Sequence, residues 1–196
     1  MSRTAKFAIL IVLVTNLCSC SSGSENMHEK IHSKFYDMPS YTAKCSMTVS
    51  SNKTKNEYDF TCTYDSAGER YRIDYPDSSV ILTDTDARIV RGDLIANVPP
   101  KDSDMLMFVN TFFKSYYVGE SASIDVSANT DSGYTLLEAE LVNPTKFGHF
   151  AKLWIRNKDV SPHNMKVYDK DGNETLAVIF KNFEITKAIE QEKFTQ

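Results

Sequence analysis

The sequence predicts an α+β fold: one curved antiparallel sheet of about ten strands, a half-barrel with helices packed on its concave face. Three observations carry this. Apolar residues alternate with polar ones at a period of two from Tyr41 onward, in short runs separated by turn residues. Two stretches, after Ser24 and after Ser103, instead repeat their apolar residues at helical spacing. No repeat or linker divides the chain, and a sheet this wide curls around its apolar face.

The N-terminus precedes this domain. Arg3 and Lys6 lead into an apolar run from Phe7 to Leu17, interrupted only by Thr15 and Asn16, and Leu17-Cys18-Ser19-Cys20 follows. This is the layout of a secretory signal, and the run is short of the ~20 apolar residues that span a bilayer. Small Ser19 before Cys20, with Leu17 at minus three, resembles the bacterial lipobox. Cys20 is therefore the expected lipidation site and mature N-terminus, with residues 1–19 as signal and residues 20–23 as a flexible tether. Large Leu17 stands immediately before Cys18 and makes it the poorer candidate.

Residues 1–19 hold two basic residues and no acid, so 22 Lys and Arg fall to 20 against 26 Asp and Glu, a net charge of −6. The remainder, about 175 residues, is enough for one well-buried core. The acidic balance speaks against nucleic-acid binding and against a polybasic grip on anionic lipid. A lipobox cysteine carries more than one acyl chain, which suffices for stable membrane attachment.

Ser24 to Met38 reads as the first helix, with Met27, Ile31, Phe35 and Met38 on one stripe and Pro39 as the stop. Tyr41 to Val49, Tyr58 to Tyr64 and Tyr71 to Tyr75 then read as a three-stranded meander, turning at residues 51–56 and 66–68. Val80 to Leu82 and Ala87 to Val90 add two short strands before Pro99-Pro100. Ser103 caps a second, very apolar helix to Tyr116, with Met105, Leu106, Val109, Phe112, Phe113 and Tyr116 on its stripe. Five strands follow: Ser123 to Ala128, Tyr134 to Val142, Ala151 to Asn157, His163 to Tyr168, and Thr175 to Ile185. The domain is read as residues 24–187, and residues 188–196 as a charged, frayed tail.

Few residues offer chemistry. His28-Glu29-Lys30-Ile31-His32 fits H-E-x-x-H, which on a helix would make a zinc hydrolase. It stands eight residues past Cys20, where no sheet can precede it, and reads as a solvated helix face; no metal site is expected. Asp169-Lys170-Asp171-Gly172-Asn173 opens like a calcium loop, but position twelve is Phe180. It reads as a hairpin turn. No P-loop, G-x-S-x-G or G-x-G-x-x-G occurs, and no cofactor is expected.

Cys45 and Cys62 share the apolar parity of neighbouring strands. A turn centred between Lys53 and Thr54 would set them opposite each other, within disulfide reach. A disulfide, two buried thiols, or a metal-binding or catalytic thiol all remain open.

Several stretches resemble one family. They are the lipobox and short helix, Ser40-Tyr41-Thr42-Ala43-Lys44-Cys45-Ser46-Met47-Thr48-Val49, Tyr71-Arg72-Ile73-Asp74-Tyr75-Pro76, Met165 to Asn173, and Phe180-Lys181-Asn182-Phe183-Glu184-Ile185. Together the chain resembles the LolA-like bacterial lipoproteins, and within them the clostridial germination branch. The resemblance implies a non-enzymatic, lipid-anchored spore protein on the outer side of a membrane, in the forespore intermembrane space. It further implies a partner, a CwlD-like N-acetylmuramoyl-L-alanine amidase that modifies cortex peptidoglycan. Exposed strand edges add a homodimer by strand exchange as a further expectation. The alternative within the same fold is a lipid or lipoprotein carrier, with Met105, Phe108, Phe112 and Phe113 lining a hollow under the sheet.

Overall fold

The computed structural model describes residues 24–51, 53–83, 85–100, 102–119, 122–125, 133–187 and 189–195. Cys18 and Cys20 lie outside them. Helix α1 (Ser24–Phe35) leads into β1 (Tyr41–Ser50), β2 (Lys55–Asp65), β3 (Arg70–Tyr75), β4 (Ser78–Leu82), β5 (Ala87–Arg91) and β6 (Leu94–Val98). A 3-10 turn (Asp102–Met105) and α2 (Val109–Val118) follow. The second half is β7 (Ser123–Asp125), β8 (Tyr134–Glu140), β9 (Phe150–Arg156), β10 (Ser161–Tyr168) and β11 (Glu174–Ile185), closed by a 3-10 turn (Gln191–Phe194).

The strands form one eleven-stranded sheet in the order β6-β5-β4-β3-β2-β1-β11-β10-β9-β8-β7, every pair antiparallel. Each half is a meander, and β1 against β11 joins them, from Tyr41 opposite Ile185 to Val49 opposite Leu176. The start and end of the domain thus share the central ladder. This is the curved, open antiparallel half-barrel expected from the sequence, with eleven strands where about ten were expected.

Both helices lie on the apolar face. Ile31 and Phe35 of α1, and Val109, Phe112, Phe113 and Tyr116 of α2, are buried with Ala43, Cys45, Met47, Leu137, Leu153, Ile155 and Val178 of the strands. Phe35 stacks on Phe113, ring centroids 4.6 Å apart. Tyr41 reaches up from β1 to donate to Asn110 Oδ1 at 3.4 Å, and the Asn110 amide donates to the Tyr71 hydroxyl. Asn110 therefore ties α2 to two strands by the polar tips of otherwise apolar rings.

Four differences from the sequence reading have physical causes. α1 ends at Phe35, not Met38. The helix expected from Ser103 to Tyr116 is broken: Phe108 is extended (φ −93°, ψ 137°) between the 3-10 turn and α2. The break lets both Leu106 and Phe108 enter the core, which a continuous helix would spread around its girth. β6 is an additional strand. Gly92, at φ +56°, opens a two-residue turn that sets Arg91 opposite Leu94. Finally, the charged tail is docked: Phe194 is 5 % exposed, the Arg70 guanidinium lies 4.6 Å from its ring centroid, and Arg72 and Arg88 donate to the carbonyls of Lys193 and Phe194. One aromatic ring and three arginines on β3 and β5 outweigh the tail's charge.

Candidate functional site

Besides the short end strand β7, two features of the sheet present unpaired strand backbone among the described residues. The first is β6, the outermost strand of the first meander. Among the described residues it pairs with β5 only, and all five of its own residues are exposed. A strand that rests on the core buries one face, so β6 projects beyond it. Its side chains are nonetheless apolar: Leu94 is 74 % and Ile95 62 % exposed, with Val98 and Ile89 of β5 beside them. No lysine or bulge blunts this edge, and only Pro99-Pro100 ends it. An apolar free edge is a template for another chain.

The second is a cleft of about 510 Å³ where β3 stops short of β2. It is lined by Glu57, Tyr58 and Asp59 of β2, by residues 75–78 at the β3–β4 turn, and by Arg91. Tyr75 meets Tyr58 edge-on at 6.4 Å and Phe60 at 5.7 Å. Burial, with help from Tyr58 and Asp104, pushes the Tyr75 phenol above its usual pKa. Asp59 accepts from Lys181 Nζ at 2.6 Å, which holds its carboxyl below the usual range.

The side chains expected to line a hollow under the sheet are packed against one another. Phe108, Phe112 and Phe113 are each 1 % exposed, and Met105 is half-buried against them. Phe108 lies 4.2 Å from Tyr71, and Phe112 stacks on Tyr116. These rings touch one another and the sheet.

The thiols take a different register from the one expected. The β1–β2 register sets Ser50 opposite Lys55, so Cys45 stands opposite Phe60 and Cys62 opposite Ala43. Ser51 fixes the tight loop by accepting from the Thr54 amide at 3.2 Å, while the Ser51 amide donates to the Thr54 carbonyl. The two cysteines are thus diagonal neighbours, free and buried. Burial pushes the Cys45 thiol up to about 12, and Cys62 well above its usual value. Burial thus favours the neutral thiol at both positions.

His28 and His32 lie one turn apart on the exposed side of α1, ring centroids 6.4 Å apart. His32 stacks on Tyr36 instead of facing a third ligand. Among the described residues no three His, Cys, Asp or Glu side chains gather as a metal site would require. Asp169 closes the β10–β11 hairpin: its carboxylate accepts from the Asp171 and Asn173 amides, and Gly172 supplies φ +82°.

Residues 2–194 match the family described as sporulation protein YdcC-like. The chain belongs to that family. No curated protein matches it. Among solved structures, an uncharacterised conserved protein from Thermus thermophilus is similar at 9 % identity and a TM-score of 0.52, over 88 % of this chain and 93 % of that one. This likeness extends the shared fold well beyond recognisable sequence. The GerS lipoprotein of Clostridioides difficile, solved in complex with the CwlD amidase, is similar at 21 % identity and a TM-score of 0.48, over 87 % and 100 % of the two chains. A LolA superfamily protein from Nitrosomonas europaea is similar at 10 % identity and a TM-score of 0.46, over 88 % and 97 %. The chain is thus a member of a sporulation protein family.

Proposed function

We propose that this protein is a membrane-anchored lipoprotein of sporulation that works by binding another protein rather than by catalysis. Cys20 carries the lipid, and the domain stands on the outer side of the membrane, in the intermembrane space of the forespore. Its partner is a CwlD-like N-acetylmuramoyl-L-alanine amidase acting on cortex peptidoglycan, whose activity it regulates so that the spore can later germinate. The observation that carries the binding role is the projecting apolar edge of β6. Leu94 and Ile95 are too exposed to serve the core and are unfavourable in water unless something covers them. The partner class rests on the sequence resemblance to the germination lipoproteins and on membership of a sporulation family.

The same edge could pair with a second copy, giving a homodimer by strand exchange. The test is co-purification from sporulating cells with a tagged full-length chain as bait, read by mass spectrometry. The amidase should be enriched with the wild type and reduced at least tenfold by Leu94→Asp/Ile95→Asp. Wild-type bait that enriches no amidase would contradict the assignment.

A further inference from the structure

The cleft beside β2 is a gap in the sheet itself. β2 pairs with β1 along its length, from Tyr64 opposite Tyr41 to Lys55 opposite Ser50. Its pairing with β3 covers only Thr61 to Asp65, because Pro76 and Asp77 turn the chain back into β4. Among the described residues, then, Lys55 to Phe60 are bonded on one side only, and Lys55 to Asp59 are exposed. Every second residue of that stretch aims its backbone N–H and C=O into the gap. Unlike β6, this edge has walls: the β3–β4 turn closes one end and Arg91 stands on the rim.

The two faces of the gap differ in chemistry. Tyr58 shares the parity of buried Phe60 and Cys62, and Tyr75 that of buried Tyr71 and Ile73, so both tyrosines lie on the core side. Glu57 and Asp59 have the opposite parity and lie on the outer side. Lys181 pairs with Asp59, while Lys55 holds Glu57 only loosely at 3.8 Å, both partners being well exposed. Exposed Asp77 at the turn has no ion pair among the described residues. An occupant strand must alternate to suit both faces.

We propose that this gap binds an extended polypeptide segment of about five or six residues by strand addition to β2 between Lys55 and Phe60, placing apolar side chains over Tyr58 and Tyr75 and basic side chains beside Glu57 and Asp59. The segment lies in line with β3 and replaces the ladder that β3 does not reach. The proposal deepens the protein-binding reading above, on which it rests: it supplies a second docking point, specific for alternating basic and apolar sequence, distinct from the β6 edge.

The test uses the full chain in detergent and a fluorescein-labelled peptide, Lys-Val-Lys-Val-Lys-Val, followed by anisotropy. Binding should saturate. It should weaken at least tenfold for the Glu-Val counterpart, for a peptide N-methylated at alternate residues, and for Glu57→Lys/Asp59→Lys with an unchanged thermal unfolding midpoint. No saturable binding, or equal binding of the N-methylated peptide, would overturn strand addition. Equal binding by the double variant would overturn the charge assignment. The N-methylated peptide needs no protein variant, so a misfolded variant cannot obscure the result. Amidase capture by wild-type bait reports separately on the function: capture without peptide binding sinks the gap alone, and peptide binding without capture sinks the amidase reading alone.

Discussion

Phe35 of α1 lies flat on Phe113 of α2, the ring planes within 12° and the centroids 4.6 Å apart. The contact fixes α1 against the second helix, and both helices against the sheet, because Phe183 of β11 meets Phe35 edge-on from below. Removing either ring leaves a cavity that neighbouring aromatic side chains are too rigid to fill. Phe113→Ala should cost about 3–5 kcal/mol, read by urea denaturation with an unchanged m-value. A loss under about 1 kcal/mol would mean that the helices are held elsewhere.

The packed rings under the sheet make a second prediction. Native mass spectrometry of the purified protein should give the mass of the chain and its N-terminal modification with no further lipid. Phe112→Ala should open a space beside Tyr116 and take up a small apolar probe, as apolar cavities do. A wild-type protein that carries lipid under the sheet would favour the carrier reading.

The diagonal thiols should be inert. Cys45 and Cys62 should resist iodoacetamide at pH 8 and label only as denaturant unfolds the chain, as mapped by peptide mass. Native labelling, or a Cys45–Cys62 disulfide in the purified protein, would contradict the β1–β2 register.

His163 provides a pH test. Its ring stacks on Tyr134 at 4.6 Å, its Nδ1 is buried without a partner, and burial with nearby Arg156 lowers its pKa. Between the depressed folded value and the unfolded value near 6.5, the unfolded chain binds the extra proton. Stability should therefore fall as pH drops below about 6.5, and His163→Gln should flatten that slope. An identical slope in the variant would remove His163 as its source.

The docked tail should respond as a unit. Phe194→Ala should cost about 1–2 kcal/mol, as a peripheral cluster does, and should expose Lys187 and Lys193 to trypsin in the native state. Protection equal to that of the wild type would show that Arg72 and Arg88 hold the backbone without the ring.

These outcomes trace how far the sequence could be read. Alternation such as Leu153 and Ile155 against Lys152 and Arg156 is a direct consequence of one buried face, so most strands and the half-barrel were legible. β6 was not, because Leu94-Ile95-Ala96-Asn97-Val98 is exposed on both faces and has no alternation to detect. Phe108 interrupts an apparently continuous helix for reasons that lie in Tyr71 and the core beneath. The thiol register turned on two residues of loop length, the turn spanning Ser51–Thr54 and not residues 51–56. Tail docking depended on Arg70, Arg72 and Arg88 converging from two strands. The cleft at Tyr58 and Tyr75 was invisible for a related reason: it exists only because β3 is shorter than β2, a fact of register rather than composition.

The protein is proposed to act by binding and regulating an amidase. The direct measurement is reconstitution: purified CwlD-like amidase assayed on cortex peptidoglycan with and without the full-length protein. Co-elution of the two and a rise in N-acetylmuramoyl-L-alanine cleavage, both lost with Leu94→Asp/Ile95→Asp, is the expected result. An amidase that neither binds the protein nor changes its rate would contradict the account.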